Sequence, residues 1–442
     1  MCCTLQMEVI RTINAQGDTV LNYHGQIVVK RGDDFRAHEL AIASGLNQLG
    51  LALTRDLLLR LDTQGEALVS NCIKLTTKGQ LKLVVETPYG PFPLVRHVYQ
   101  SSKGGATRAP LDERAGLVGN STPRLAAMVA SKAAEMPAAV VARDLEENHL
   151  RKASPSFIQD LACAVSTLAR EHAVVSPWVP ECDPALVARI TVGMDGAMIN
   201  TPQDGWRQAL CATFSLYDKE GERLETSYIG CGPGAAPPEG KAVFFSEAGE
   251  VLARLKRWCP GAAVLGISDA ASDLQAWLGS HTEDQLIDFH HAAEYLSKAA
   301  PAFVSGGTPP QEWASAMRRT LRDEPGAAAN IAADLTERLE SHAVNRLSAS
   351  QKADLSAAES YFRNHHEKMD YASWTAQKRA IGSGPTEAAC KTIIKQRMTQ
   401  SGMRWSVATA HEIISLRALV RTPARWKAFW TVLASQQAAT AL

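Results

Sequence analysis

Arg189-Ile-Thr-Val-Gly-Met-Asp195-Gly196 and, further on, Ala263-Val-Leu-Gly-Ile267-Ser268-Asp269 are two short apolar runs, each meeting an aspartate. Runs of this length bounded by turn signals read as buried strands. Between them, 207–217 alternates, 218–221 turns and 223–231 returns, so three sequential strands can pair as an antiparallel meander. A Pro/Gly loop (232–240) and an amphipathic helix (247–258) lead into the second run. A helix near 273–278 and the strand Gln285-Leu-Ile-Asp-Phe289 follow it. The order β-β-β-α-β-α-β predicts a mixed sheet whose later strands are joined by helical crossovers. Asp195 is expected to close the first strand and Asp269 the fourth. If those strands are neighbours, the two carboxylates emerge side by side.

An RNase H-like sheet has this order of elements. A third acid arrives in Ile381-Gly-Ser-Gly-Pro-Thr-Glu387-Ala-Ala-Cys390-Lys391. Gly384 and Pro385 fit a loop ending at a helix start, which puts Glu387 in the first turn, near the positive end of the helix dipole. Unscreened carboxylates about 4 Å apart repel by roughly 4 kcal/mol at an effective dielectric of 20. Divalent cations remove that cost. An oxygen-rich set suits Mg²⁺ or Mn²⁺, and two such ions serve phosphoryl transfer. Singly, each acid has a plainer reading. Asp-Gly is commonly a turn, an aspartate after a strand is commonly a helix cap, and Glu387 with Lys391 is an i, i+4 pair. Asp273 competes with Asp269 for the second position, and Glu412 with Glu387 for the third.

Outward from the core, 293–378 is helical and reads as an all-α insertion. The segment 379–442 carries the Glu387 helix and a basic helical tail. From 378 to 430 ten basic residues face two acidic ones, although the whole chain is neutral, with 46 of each sign. Lys391, Lys395, Arg397, Arg404 and Arg417 are candidate phosphate contacts. Trp405 is a candidate for stacking on an exposed base, with core packing against a helix at 406–420 as the other reading. Upstream, 1–104 is an α+β region with a helix around 35–61. There Leu81-Lys-Leu-Val-Val-Glu-Thr87 and Pro93-Leu-Val-Arg-His-Val-Tyr99 flank Pro88-Tyr-Gly-Pro91 as a hairpin, and 101–107 reads as a linker. The segment 105–180 is helical at 122–136, 137–150 and 155–171. The turn Arg151-Lys-Ala-Ser154 makes the last two either a helix-turn-helix that enters DNA or part of a plain bundle. Three prolines in 174–184 mark a boundary before the core, which begins at 186 and runs to 292.

With 442 residues, 45% hydrophobic and 21% charged, the chain reads as a folded multi-domain protein rather than a disordered one. No apolar run is long enough to span a bilayer and Met1-Cys-Cys-Thr4 lacks the features of a signal peptide, so no membrane and a cytoplasmic, nucleoid-associated location are expected. The nine cysteines form no C-x-x-C pair and are expected to be reduced. Aromatic residues make up 6%, too few for the sugar cleft of a two-carboxylate glycosidase.

Met194-Asp-Gly196, Ile287-Asp-Phe-His-His-Ala-Ala-Glu-Tyr-Leu296, the Ile381–Lys391 segment and Ser401-Gly-Met-Arg-Trp405 resemble those of bacterial insertion-sequence transposases of the ISKra type. These are DDE-class enzymes related to Mutator-like elements. The resemblance extends to Gly104-Gly-Ala-Thr107 and Pro110-Leu-Asp-Glu-Arg114. It implies an RNase H-like core interrupted by a helical insertion, with Asp195, Asp269 and Glu387 as the catalytic and metal-binding triad. It also matches Asp288 and His291 to an accessory C/D-x-x-H signature. Double-stranded DNA, as terminal inverted repeats and target, is the implied partner, with a homodimer or larger assembly forming on it. One departure is Asp269-Ala270-Ala271, where relatives commonly carry glycine after the aspartate. The other readings are an RNase H-fold nuclease that cuts without joining and a retired transposase that only binds DNA.

Overall fold

The computed structural model describes residues 6–26, 34–70, 73–172, 177–202, 204–234, 239–303 and 309–441. The first four residues, part of the proline-bearing boundary (174–176) and part of the Pro/Gly loop (235–238) lie outside the described residues. The fold is mixed α/β and divides into two compact units, Met1–Ser176 with Lys427–Leu442, and Pro177–Trp426.

In the first unit, β1 (Gln6–Ile13) and β2 (Thr19–Gln26) form a hairpin, and α1 (Phe35–Leu59) follows, capped by the Asp34 side chain on the Ala37 N–H. β3 (Leu68–Ser70), β4 (Ile73–Thr87) and β5 (Gly90–Ser101) make an antiparallel sheet. The expected hairpin is present and longer than its alternation indicates, closing at Thr87↔Gly90. α2 (Pro110–Ala115), α3 (Pro123–Glu135), α4 (Ala138–His149) and α5 (Pro155–Glu171) complete it, with Ser154 capping α5 through the Phe157 N–H. Arg151, in the basic turn before α5, is buried. Its guanidinium bonds the Thr87 carbonyl and the Glu86 carboxylate, fastening the turn to β4. On α1 large apolar side chains stay exposed, Phe35, Ile42, Leu46 and Leu57 among them.

The second unit is built on β6 (Arg189–Thr201), β7 (Gly205–Tyr217), β8 (Arg223–Cys231), β9 (Ala263–Ser268) and β10 (Asp284–Ile287), in the order β10-β9-β6-β7-β8. The meander β6-β7-β8 is antiparallel, whereas β9 runs parallel to β6 and β10 parallel to β9. The parallel connections need crossovers, supplied by α6 (Glu239–Trp258) and α7 (Ser272–His281). The first and fourth strands are therefore neighbours, with Met194 opposite Ser268.

Two expected strand ends move. Asp195 does not close its strand, because β7 continues to pair with β6 as far as Thr201↔Gly205. Asp195 is instead the first β6 residue beyond the stretch paired with β9. The last strand stops at Ile287 rather than 289, because Asp288 caps α8 (Phe289–Ala299) and turns the chain into helix.

The insertion continues with α9 (Pro310–Asp323), α10 (Ala327–Glu340), α11 (Ala349–His365) and α12 (Tyr371–Ala376). Its core is continuous with the sheet: Leu265, Ile267, Leu286 and Ile287 are buried in one cluster with Leu296, Ile331, Phe362 and Trp374. The chain then returns as α13 (Gly384–Ala389), a π-helical turn Cys390–Lys395 and α14 (Gln396–Met398). α15 (Val407–Val420) and α16 (Pro423–Ala441) end it.

Successive strand residues face opposite sides of the sheet, and two glycines show what covers each side. A Cβ on Gly266 would touch Leu278 of α7, and one on Gly193 would lie 1.9 Å from the Thr386 hydroxyl of α13. Gly193 pairs with Thr213, whose hydroxyl bonds that of Thr386 at 2.7 Å. A glycine inside a strand marks this close approach. Gly193→Ala is therefore expected to cost about 1–3 kcal/mol by overpacking. Gly193→Ala combined with Thr386→Ala recovers part of the loss. Urea denaturation of the full chain measures both, and an unchanged midpoint for Gly193→Ala would remove α13 from this face.

Candidate metal centre

The β6–β9 register puts Asp195 and Asp269 one residue beyond the last parallel pair, on adjacent strands. Burial pushes the Asp269 carboxyl above the usual carboxylate range. The Ala271 N–H opposes that shift, the Asp195 carboxylate adds to it, and His291 opposes it again. Asp269 is not the cap of α7. Ala271 holds that position, and its N–H donates to Asp269 Oδ1 at 3.1 Å. Asp195 Oδ1 accepts from the Gly196 N–H at 2.6 Å. Its carboxylate also lies against the Cys390 thiol. Hydrogen bonding with Cys211, burial and Asp195 together hold that thiol firmly protonated.

Asp273 has a different occupation. Burial works against its ionised form, but the Lys241 ammonium, bonded to Oδ2, outweighs burial and holds the carboxyl below its ordinary range. Its Oδ1 accepts from the Leu274 N–H. Of the two aspartates that compete from sequence, Asp269 is the one facing Asp195.

Glu387 is brought to the same end of the sheet by the loop 381–384. Asp288 is fully buried, and its Oδ1 accepts from the His290 and His291 N–H groups at 2.6 and 3.0 Å. Its Oδ2 accepts from the Ser383 N–H, while the Phe289 N–H bonds the Ile381 carbonyl. The Ser383 carbonyl then receives the Thr386 and Glu387 N–H groups, and the Ser383 hydroxyl reaches Glu387 Oε1 at 3.4 Å. One aspartate thus ties the start of α8 to the start of α13. Among the described residues, Asp288, His291 and Glu387 form a group whose ligand atoms all lie within 4.8 Å of one another and could hold a metal ion. Of the expected triad only Glu387 belongs to it; Asp195 and Asp269 do not, nor does Glu412.

Three backbone donors leave Asp288 about one of roughly four lone-pair sites for a cation. Glu387 is exposed and His291 half-buried, so both can still offer an atom. Carboxylate oxygens with one imidazole depart from the all-oxygen set that Mg²⁺ prefers and suit Mn²⁺ at least as well. The Asp195–Asp269 pair, in which the Asp195 charge adds to the upward shift of Asp269, would be relieved by the same hard ions.

The basic segment divides in two. Lys391, Lys395 and Arg404 are exposed. Arg397 and Arg417 are buried, which corrects their expected role as phosphate contacts. The Arg397 guanidinium sits over the Trp405 ring, 4.7 Å from its centre, and bonds Met403 Sδ at 3.9 Å. Arg417 donates to the Ile393 carbonyl at 2.9 Å and to the Thr392 carbonyl. Widening to a π-helical turn frees carbonyls that Arg417 satisfies. Trp405 is also buried, so packing, not base stacking, describes its position. No protein-family model matches the chain, and no curated protein matches it.

Sequence reading missed Thr386, Cys390 and the clamp role of Asp288. The glycine inside the 189–194 run was the one signal for the first. The two classes of arginine predict different failures. Arg417→Ala strands two buried carbonyls and is expected to cost about 3 kcal/mol, whereas Arg404→Ala shifts stability by less than about 0.5 kcal/mol. Chemical denaturation of the two variants distinguishes them, and equal stabilities would contradict the buried capping role.

Proposed function

We propose that this protein is a DNA transposase with an RNase H-like core, cleaving the ends of a mobile element and joining them to target DNA. The reading is supported by the β6–β9 pairing, which ends one residue before Asp195 and Asp269, and by the neighbouring group Asp288, His291 and Glu387, which could hold a metal ion and whose His291 is within electrostatic reach of Asp269. Asp195, Asp269 and Glu387 would hold Mg²⁺ or Mn²⁺, with His291 and Asp288 beside them. When bound, two such ions supply activation of the attacking oxygen and neutralisation of charge on the phosphodiester.

The chain's own groups have separate tasks. Asp195 and Asp269 orient the centre from the rigid sheet, and Glu387 closes it from α13. A His291 ring nitrogen beside Glu387 can take the proton of the attacking water and give it to the 3′-oxygen that leaves, and in joining can take the proton of the attacking 3′-OH and give it to the oxygen that leaves the target strand. Lys391, Lys395 and Arg404 neutralise phosphates next to the site. No side chain needs to bond covalently to DNA. Helices α4 and α5, with Arg143 and Lys152 exposed, would make the helix-turn-helix contact. Two element ends must be held together, which requires a homodimer or larger assembly. The exposed Ile42, Leu46 and Leu57 of α1 offer apolar surface for one. No helix of the described residues is long and apolar enough to cross a membrane, and work on DNA fits a nucleoid-associated place in the cytoplasm.

Strand transfer with labelled element ends and Mg²⁺ or Mn²⁺ tests the reading. Asp195→Asn, Asp269→Asn and Glu387→Gln are expected to bind DNA like the wild type and to yield no joined product. Cleavage without joining in the wild type would assign the chain to the nucleases. Joining retained by Asp269→Asn but lost in Asp273→Asn would move the second ligand.

DNA affinity measured against salt gives a separate check. Each of Lys391→Ala, Lys395→Ala and Arg404→Ala should reduce the log–log slope by about 0.9, the value of one phosphate contact. Unchanged slopes in all three would take DNA off this surface.

A further inference from the structure

The buried residues of α7 are Leu274, Gln275, Trp277 and Leu278, and Gln275 is the one polar side chain in that set, at 8% exposure. Packing alone would be served by a leucine, and a buried carboxamide needs partners for its donors and its acceptor. Gln275 has them. Its Nε2 donates to the Ser268 hydroxyl at 2.8 Å and to the Asp269 carbonyl at 3.1 Å. Its Oε1 accepts from the Lys368 ammonium at 2.9 Å. Lys368, half-buried in the insertion between α11 and α12, also donates to Gln285 Oε1 of β10 at 3.0 Å.

The direction of each bond is fixed by chemistry. An ammonium has donors only, so the amide must turn its oxygen to Lys368 and its nitrogen to Asp269. Asp269 lies one position beyond the last pair that β9 makes with β6 and with β10. Its carbonyl is therefore past the ladder and takes side-chain donors, Gln275 and the Ser268 hydroxyl, the latter at 2.8 Å. Gln275 also holds the far side of the same turn. Its backbone N–H donates to the Ala271 carbonyl at 2.9 Å, while the Ala271 N–H holds Asp269 Oδ1. One residue thus fixes the main chain on both sides of Ala270, and with it the direction in which the Asp269 side chain leaves the backbone.

We propose that Gln275 is a positioning residue of the metal centre: with its amide oriented by Lys368, it sets the main chain at Asp269 so that the carboxylate is presented to a divalent cation. The all-α insertion thereby reaches the centre through two hydrogen bonds, Lys368 to Gln275 and Gln275 to Asp269. The inference rests on the metal-binding reading of Asp195, Asp269 and Glu387. The role is geometric, and no group changes its protonation.

Gln275→Leu keeps about the same volume and removes the side-chain bonds. The test is calorimetric titration of the full-length protein with MnCl₂, well below the melting point of each variant. Gln275→Leu is expected to raise the Mn²⁺ dissociation constant fivefold or more. A smaller change overturns the proposal and leaves the metal centre standing, because a merely structural role lowers the melting temperature without altering the affinity of the folded molecule. Lys368→Met supplies a second arm at a half-buried position, and it decides alone should Gln275→Leu fail to fold. Removing a positive charge by itself favours cation binding, whereas loss of the amide's orientation weakens it. Binding twofold or more weaker is expected in Lys368→Met, with less than twofold added when Gln275→Leu is already present. Binding that is tighter, or weakened less than twofold, overturns the proposal, as does a larger added loss in the double variant. A wild type that binds no Mn²⁺, or an Asp269→Asn variant that binds it as tightly as wild type, overturns the proposal together with the reading it rests on.

Discussion

The parallel pairing of β6 with β9 is the constraint on which the second unit depends. Its register ends at Met194↔Ser268, so the next residue on each strand is an aspartate and the two share one sheet end. Two like charges there oppose folding, by roughly 4 kcal/mol were they about 4 Å apart at an effective dielectric of 20. The strands stay together because Ile190, Val192, Val264, Leu265 and Ile267 are all buried, each contributing about 1.5–3 kcal/mol of apolar stabilisation. What surrounds the pair is chosen accordingly. A protonated thiol faces Asp195, a backbone N–H faces Asp269, and His291 is close enough to counter the charge.

The third acid is held by backbone bonding rather than by charge. Asp288 resembles a ligand in sequence, yet its carboxylate spends three acceptor positions on N–H groups from two segments. That makes it the junction between the insertion and α13. Thr386 then seats α13 in the space that Gly193 leaves open, and Arg417 closes the carbonyls of the π-helical turn further along. Glu387 is exposed, but the turn that carries it is fixed by residues with almost no exposure, so its freedom is confined to its own side chain.

Much of the sheet was legible in the sequence because its strands are short apolar runs separated by turn residues, and few topologies join them without left-handed or crossing connections. Adjacency of Asp195 and Asp269 follows from that. The end of β10 was not legible, since Asp288 and Phe289 continue an alternation that only the capping bonds interrupt. Arg397 and Arg417 were misread for a related reason. A count of basic residues in a segment carries no information on which guanidinium turns inward, and a π-helical turn has no residue signature that would expose its free carbonyls. Trp405 follows Arg397 into the interior, where the ring and the guanidinium stack.

That packing bears on what the insertion is for. Were it an independent domain attached to the sheet, Leu265, Ile267, Leu286 and Ile287 would need another cover, since all four are buried in the same cluster as the insertion's own helices. The strands that carry Asp269 and lead to Asp288 are therefore stabilised by α8, α10, α11 and α12 as much as by their neighbours in the sheet. Local opening of the helices would expose the apolar side of β9 and β10 and loosen the Asp288 clamp in the same event. The carboxylate centre and the insertion form one cooperative unit in this sense. A sheet-only version of the core would keep the aspartates in sequence and lose the means of holding them.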